Sequence, residues 1–497
     1  MQEPLLVIIV VVPLLAALLI PLLGRVWRGA GPWMTIGALG VSVYAAAQIL
    51  GKLWGADADA VLEYHMGGHE PPFGIPYVVD RLNAIVLAMV ATMGLLTAIW
   101  MRAPLEKEID PKKHTSFWAV FLLCVTGYLG ITITGDVFNL YVFLEIASIT
   151  TYVLIAMGTG RRALYAGFSY LIVGSIGATF ILLGIGHLYM ATGSLAMTDI
   201  ATYFANDPNL YDSSVIRTSF AFFSVGLALK MALFPLHGWQ PNAYASAPSG
   251  ASLFIAGTAT KVSAYAAYRL SFSVFGLTLI TKFPIPYQDG LLVMAASAIV
   301  IGPLLAIRQP DLKRLLAYSS VGQIGYVMLG LVLMNQAGLT GGIAHFWNHA
   351  AAKGALFCVA GALVYRTGAA RVEDLAGMGR RAPWTAATMT VAGCSMVGVP
   401  LTAGFLSKFY LSVGAIEAGR WIIVPVLLLS SLFTAIYVWR LCQLVWFAPA
   451  DVEPKVEREV PWSMRLPALV MGAACLVFGI FPIGVELARQ AAEALLS

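Results

Sequence analysis

The sequence predicts an all-α polytopic membrane protein with about 14 transmembrane helices in a single membrane domain, residues 1–497. Three observations lead there. First, 59% of the residues are hydrophobic and only 11% are charged, against roughly 25% charged in a soluble globule, and the mean hydropathy is +0.81. There is too little polar surface to cover a water-soluble protein. Second, apolar runs of about 20 residues, enough to cross a bilayer, recur along the whole chain. Third, basic residues collect on alternate sides of these runs. The net charge of +5 is small and no basic run suits nucleic acid.

The first run, 4–23, starts beside Glu3 and is followed by Arg25 and Arg28. A signal peptide has the opposite arrangement, with a basic start, so this run reads as a retained span with its N-terminus outside. Single runs follow at 32–54, 78–101, 115–134, 136–158 and 164–191. The seventh run, 217–246, is too long for one span. After it come 250–273, 288–307, 312–336 and 341–365, then an overlong twelfth run at 383–416, and 421–447 and 463–484 close the series. All are expected to be helical, because lipid offers the backbone no hydrogen-bond partner.

Loop charge sets the orientation, since cytoplasmic loops are rich in Lys and Arg. With the N-terminus outside, the inner loops are 25–31, 102–114, 159–163, 247–249, 308–311, 366–382 and 448–462, and they hold or flank 18 of the 30 bases. Seven (Lys52, Arg81, Arg217, Arg269, Lys282, Arg420 and Arg489) fall outside; the other five lie within spans. Both termini are therefore expected outside a cell inner (plasma) membrane.

The two overlong runs are interrupted. "LALKMALFPLHGWQPNAYASA" contains Pro235, Gly238 and Pro241, and "GCSMVGVPLTAGFLSKFYL" contains Gly398, Pro400 and Gly404. Proline removes a backbone donor and breaks a helix. Two such breaks at matching places in two halves mark a transporter built from repeats. Spans seven and twelve are five apart, an odd offset, so the halves would run in opposite directions.

Charged side chains occur inside the runs. Glu145, within "VFNLYVFLEIASITTYVLIAMG", falls about 15 Å deep, near the midplane. Lys230, Lys261 and Lys353 lie near the middle of their runs, and Lys408 just past the second break. A charge at the bilayer centre costs about 2.5–3.5 kcal/mol on insertion scales. Structural ion pairing explains any one of them, but four lysines and one carboxylate cannot neutralise one another pairwise. A desolvated amine releases its proton readily, so the set suits proton relay, with Glu145 switching Lys230. "GIAHFWNHAAAKGALF" adds His345, His349 and Lys353 at i, i+4 and i+8, one helix face, with imidazoles that titrate near neutral pH. Supporting polar candidates are His237, beside the first break, and Ser319, Ser320 and Gln323 in span ten. Arg440 is close enough to the end of its span to snorkel. The five cysteines form no CxxC pair and read as small hydrophobes. No P-loop, dinucleotide or metal-ligand pattern is present, so neither cofactor nor metal is expected.

"GDVFNLYVFLEIASITTYVLIA", "LALKMALFPLHGWQPNAYASAPSGAS", "TATKVSAYAAYR", "DLKRLLAYSSVGQIGY", "NHAAAKGALF" and "GVPLTAGFLSKFYL" together resemble the antiporter-like subunits shared by respiratory complex I, membrane-bound hydrogenases and Mrp-type Na+/H+ antiporters. The chain looks most like the D subunits of the Mrp type. Tyr244 stands where complex I relatives commonly carry histidine, and Lys408 argues against relatives with glutamate there. The resemblance implies two inverted five-helix repeats, spans 4–8 (115–273) and 9–13 (288–447), and no long lateral helix. It also implies roles: a Glu145–Lys230 pair, Lys261 at the junction, a relay through His345, His349 and Lys353, and Lys408 as the distal lysine.

The expectation is a proton-translocating subunit of a multisubunit monovalent cation/proton antiporter, with other membrane subunits, the lipid bilayer, protons and Na+ as partners. Hard cations prefer oxygen ligands, and Glu145 is the only acid placed near the midplane, which favours protons over Na+ in this chain. The alternative is a proton-pumping subunit of complex I or a membrane-bound hydrogenase. A reading of another class is a non-conducting assembly scaffold.

Overall fold

The computed structural model describes residues 3–27, 29–57, 60–71, 73–283 and 286–496. Arg28, counted above among the inner bases, lies outside the described residues, as does the side chain of Lys282. The described residues form 21 α-helices. These are α1 (Leu5–Leu23), α2 (Ala30–Trp54), α3 (Arg81–Trp100), α4 (Arg102–Glu108), α5 (His114–Ile133), α6 (Val137–Ala156), α7 (Arg161–Thr192), α8 (Met197–Asn206), α9 (Ser214–Lys230), α10 (Gln240–Ser246), α11 (Ser249–Arg269), α12 (Gly276–Lys282), α13 (Tyr287–Ile307), α14 (Leu312–Leu333) and α15 (Gln336–Thr367). After them come α16 (Met378–Arg381), α17 (Pro383–Val397), α18 (Ala403–Glu417), α19 (Ile423–Trp446), α20 (Trp462–Ile480) and α21 (Ile483–Leu496).

Ten helices are long and apolar enough to cross a membrane: α1, α2, α3, α5, α6, α7, α13, α14, α19 and α20. The others at predicted runs fall short for two reasons. Helices α9, α10, α17 and α18 are fragments of the two broken runs, each under 18 residues. Helices α11 and α15 are long but rich in Gly, Ser, Thr, His and Lys, and nearly all of their central residues are buried. A helix surrounded by protein need not be apolar all round. The outer helices α1, α7, α13, α19 and α20 bury only about a third of their apolar stretch within the chain.

The expectation of an all-α chain needs one correction. Leu62–His65 (β1) pairs antiparallel with Pro76–Val79 (β2), Leu62 opposite Val79. Gly67 and Gly68, both at positive φ, turn the intervening segment. The ribbon is tied to the α5–α6 junction, where the Gly135 amide donates to the Pro76 carbonyl at 2.9 Å. A second addition is α21, an amphipathic helix beyond the last predicted run. It buries Val485, Ala488, Ala491 and Ala492, and its Arg489 carbonyl accepts from Gln336 Nε2 at 2.9 Å.

One detail recurs in the two halves. Asp136 caps α6, accepting from the Asn139 amide at 2.6 Å, and Asp311 caps α14, accepting from the Arg314 amide at 2.8 Å. Each aspartate also bridges to the segment after the next helix, Asp136 to Ala196 and Asp311 to Arg371. Those next helices, α7 and α15, both have 32 residues and both end on a glycine in the left-handed region, Gly193 and Gly368.

Arg269, counted above as an outer-loop base, is instead buried at the end of α11. It grips Asp80 with two bonds of 2.7 and 2.8 Å and also donates to Asn83.

Candidate functional site

Both breaks form where the sequence places proline and glycine. Helix α9 stops at Lys230 and the chain unwinds through a cis Phe234–Pro235 bond. Pro241 does not break the helix as expected. It sits in the first turn of α10, where a missing amide hydrogen costs nothing. Unwinding frees carbonyls, and the indole of Trp239 takes that of Leu229 at 3.0 Å. In the second break Gly398 ends α17 in the left-handed region, φ +88°. Gly404 then lets α18 pass close to α17, since a Cβ there would lie 1.8 Å from the Ser395 carbonyl oxygen.

At one end of the site, Lys230 Nζ lies 3.4 Å from Glu145 Oε1 and donates to Ser148 Oγ at 2.8 Å. The two partners differ in burial: the Lys230 side chain is 3% exposed and that of Glu145 25%. The carboxylate therefore stands at the edge of the chain and the amine within it.

At the other end, Lys408 Nζ reaches the C-terminus of α17. It donates to the carbonyls of Met396 at 3.0 Å and Val397 at 2.9 Å, and to Ser431 Oγ at 3.0 Å. A helix C-terminus carries partial negative charge and suits a cation. The same amine sits 4.9 Å from the centre of the Tyr326 ring, a cation–π contact.

Between them runs α15. His345 bridges two helices, with Nδ1 2.9 Å from Ser407 Oγ on α18 and Nε2 2.9 Å from Gln323 Oε1 on α14. Its ring lies 5.4 Å from Tyr326 and 5.8 Å from the nearly parallel ring of His349. His349, Lys408 and the residues between them thus form one series of contacts. Neither nitrogen of His349 has a protein partner, although the ring is buried. Lys353 turns to α14, donating to the Leu316 carbonyl at 2.7 Å and to Ser319 Oγ. Lys261 is wholly buried, donates to the Ala256 carbonyl of its own helix, and lies close enough to His345, His349 and Lys353 to act on each electrostatically.

The stretch from α10 to Lys261 is less closed. Tyr244 donates to the Ile255 carbonyl at 3.4 Å. Gln240 and Thr260 border its hydroxyl, yet the Gln240 amide and Thr260 Oγ1, both buried, complete no hydrogen bond. Among the described residues no direct bond joins Lys230 to Lys261.

The remaining candidates are placed as follows. The His237 ring lies 6.4 Å from Tyr318 of α14, and its Nδ1 finds no protein partner. Ser320 donates to the Leu316 carbonyl of its own helix at 3.0 Å and so is not part of the contact series. Residues the sequence reading missed are Ser148, Gln240, Thr260, Tyr326, Ser407 and Ser431. For three a signal existed: Ser148 is one turn beyond Glu145, Ser407 adjoins Lys408, and Tyr326 is one turn beyond Gln323. Nothing in the sequence marks Ser431.

Comparison with known proteins shows the family of the chain. Residues 134–434 match the family described as NADH:quinone oxidoreductase/Mrp antiporter, transmembrane. The chain belongs to this family. It is a multi-pass membrane protein, an antiporter-like subunit of the superfamily that includes Mrp antiporters and complex I. It is 41% identical to NADH-quinone oxidoreductase subunit N of Desulforudis audaxviator, covering 96% of this chain and 95% of that one. Identity to the Na(+)/H(+) antiporter D subunit of Alkalihalophilus pseudofirmus is 28%, over 92% and 90% of the two chains. A chain of the archaeal membrane-bound sulfane sulfur reductase superposes with a TM-score of 0.90 at 28% identity, covering 100% of this antiporter-like chain and 98% of that one.

Proposed function

We propose that this chain moves protons along its row of buried amines and imidazoles, as one subunit of a multisubunit complex in the plasma membrane. The contact series from His349 through His345 and Tyr326 to Lys408 carries the reading. The Glu145–Lys230 pair supports it from the other end. When that pair is closed, Lys230 holds its proton; when Glu145 moves away, Lys230 passes the proton inward. Gln240, Thr260 and His349, polar and without protein partners, are where water would complete the path, since buried water bonds such groups. Counting α9–α10, α11, α15 and α17–α18 with the ten apolar helices supports fourteen spans, an even number that puts both termini on one side, and the loop charge favours the outside. Two inverted repeats, 115–273 and 288–447, are supported by the twin aspartate bridges and the twin breaks.

The test is proton flux in vesicles containing the whole complex. Lys230→Ala should abolish flux while the subunits still copurify; unchanged flux would favour a scaffold. The driving process has two readings. The 41% identity to a NADH-quinone oxidoreductase subunit over nearly the full chain favours a redox-driven pump. The 28% identity to an Na(+)/H(+) antiporter subunit supports the monovalent cation/proton antiporter. Flux driven by an electron donor without Na+ selects the first; flux driven by a Na+ gradient alone selects the second.

A further inference from the structure

A cleft of about 1250 Å³ opens where α7 and α14 begin and α4, α10 and α15 end. Seven basic and two acidic side chains line it. Both acids are engaged at helix starts, Glu108 accepting from the Ser249 amide at 2.6 Å and Asp311 from that of Arg314 at 2.8 Å. Lys107 and Lys313 donate to the carbonyls of Tyr365 and Ala247, both at 3.1 Å, and Arg366 to that of Glu459. Arg371 pairs with Glu373 at 3.4 Å. Arg161, Arg162 and Arg314 are exposed and, among the described residues, form no ion pair. The cleft is therefore strongly positive, and arginine presents a fork that fits phosphate oxygens.

A second feature adjoins it. From Arg161 the same face of α7 continues through Leu164, Phe168, Ile172 and Ile176, at the three- and four-residue spacing of one helix face. Their exposures are 59, 61, 48 and 48%, and Tyr165, at the cleft's edge, is 67% exposed. From Leu164 to Ile176 the stripe is about 18 Å long, slightly longer than the roughly 15 Å of hydrocarbon in one leaflet.

We propose that this cleft binds the phosphate headgroup of an anionic phospholipid, with the acyl chains along the exposed α7 stripe. A free phosphate would account for the arginines alone, whereas a phospholipid accounts for the arginines and the apolar stripe together. Basic pockets between membrane helices commonly bind such headgroups.

The experiment uses the whole complex in detergent with phosphatidylglycerol carrying a photoreactive group in one acyl chain. In the wild type, labelling should map to the α7 segment from Leu164 to Ile176. Unlabelled phosphatidylglycerol should compete; phosphatidylcholine and inorganic phosphate should not. Arg161→Gln/Arg162→Gln/Arg314→Gln should weaken binding on the order of 100-fold, from about 1 kcal/mol per base. Labelling elsewhere, equal competition by phosphatidylcholine, or displacement by inorganic phosphate would overturn the proposal. So would a triple variant that binds the lipid normally but loses a neighbouring subunit, since the cleft would then be a protein contact. The wild-type mapping decides the matter even if the triple variant fails to assemble.

Discussion

The four buried lysines differ in what stabilises their charge. Lys230 has a carboxylate within 3.4 Å, whereas Lys408 has two helix-end carbonyls, a hydroxyl and an aromatic face. Lys353 has one carbonyl and one hydroxyl, and Lys261 has a single carbonyl from its own helix. Charge is therefore best supported at the two ends of the row and least at its centre, which suits transit rather than storage. Gln240 tests the path between Lys230 and Lys261. Its amide is buried without a protein partner, so Gln240→Leu breaks no protein hydrogen bond. Its thermal midpoint should hold or rise, while proton flux falls by up to about tenfold, the worth of one hydrogen bond. A structural role would lower both.

Asp80 is a structural counterpart. Burial alone would raise its carboxyl, but the charge of Arg269 and the amides of Asn83 and Leu82 outweigh burial and hold it below the ordinary carboxylate range. A depressed carboxylate stabilises the fold at pH values above its ordinary value and loses that effect as pH falls below it. Asp80→Asn leaves the buried Arg269 without a countercharge, which should cost about 3–5 kcal/mol. Thermal unfolding at neutral pH should show that loss, and the gap from wild type should close in acid.

At the scale of elements, the breaks in α9–α10 and α17–α18 explain how lysines can sit deep in the protein. Breaking α17 exposes carbonyls that Lys408 then uses. Gly404 permits the close approach that brings the amine there. Gly404→Ala places a methyl 1.8 Å from the Ser395 carbonyl oxygen, and overpacking of this kind costs about 1–3 kcal/mol. The variant should unfold at lower temperature and transport poorly, while alanine at Gly398's neighbour Val399, 39% exposed, should change little.

For the whole molecule, the topology predicts sidedness. The proposed spans α17–α18, α19 and α20 separate Arg380 from Glu493. Cysteines introduced at these positions should therefore react with a membrane-impermeant maleimide from opposite faces, Glu493→Cys from outside and Arg380→Cys from inside. The five native cysteines are buried or half-buried, so background labelling should be low. Labelling of both from one face would mean an even number of crossings between them and a different span count.

How much of this was legible in the sequence follows from which forces act locally. Hydropathy placed a helix or helix pair at each predicted run, because lipid forces every apolar 20-residue stretch to satisfy its own backbone. Proline and glycine marked both breaks because their effect on the chain is local. Glu145, the lysines and the histidine pair stood out because charge inside an apolar run is costly wherever it occurs. What the sequence could not supply was partnership across helices. That Lys353 turns to Ser319 and Lys408 to α17, that Arg269 is buried against Asp80, and that Ser431 belongs to the site all depend on how helices distant in sequence pack. The β1–β2 ribbon likewise forms by pairing between segments too short to announce themselves. The sequence by itself determined where the chain forms its apolar helices and where charge is set within them, since solvation acts on each segment separately; which charges meet was decided only by tertiary packing, since contact energy belongs to pairs.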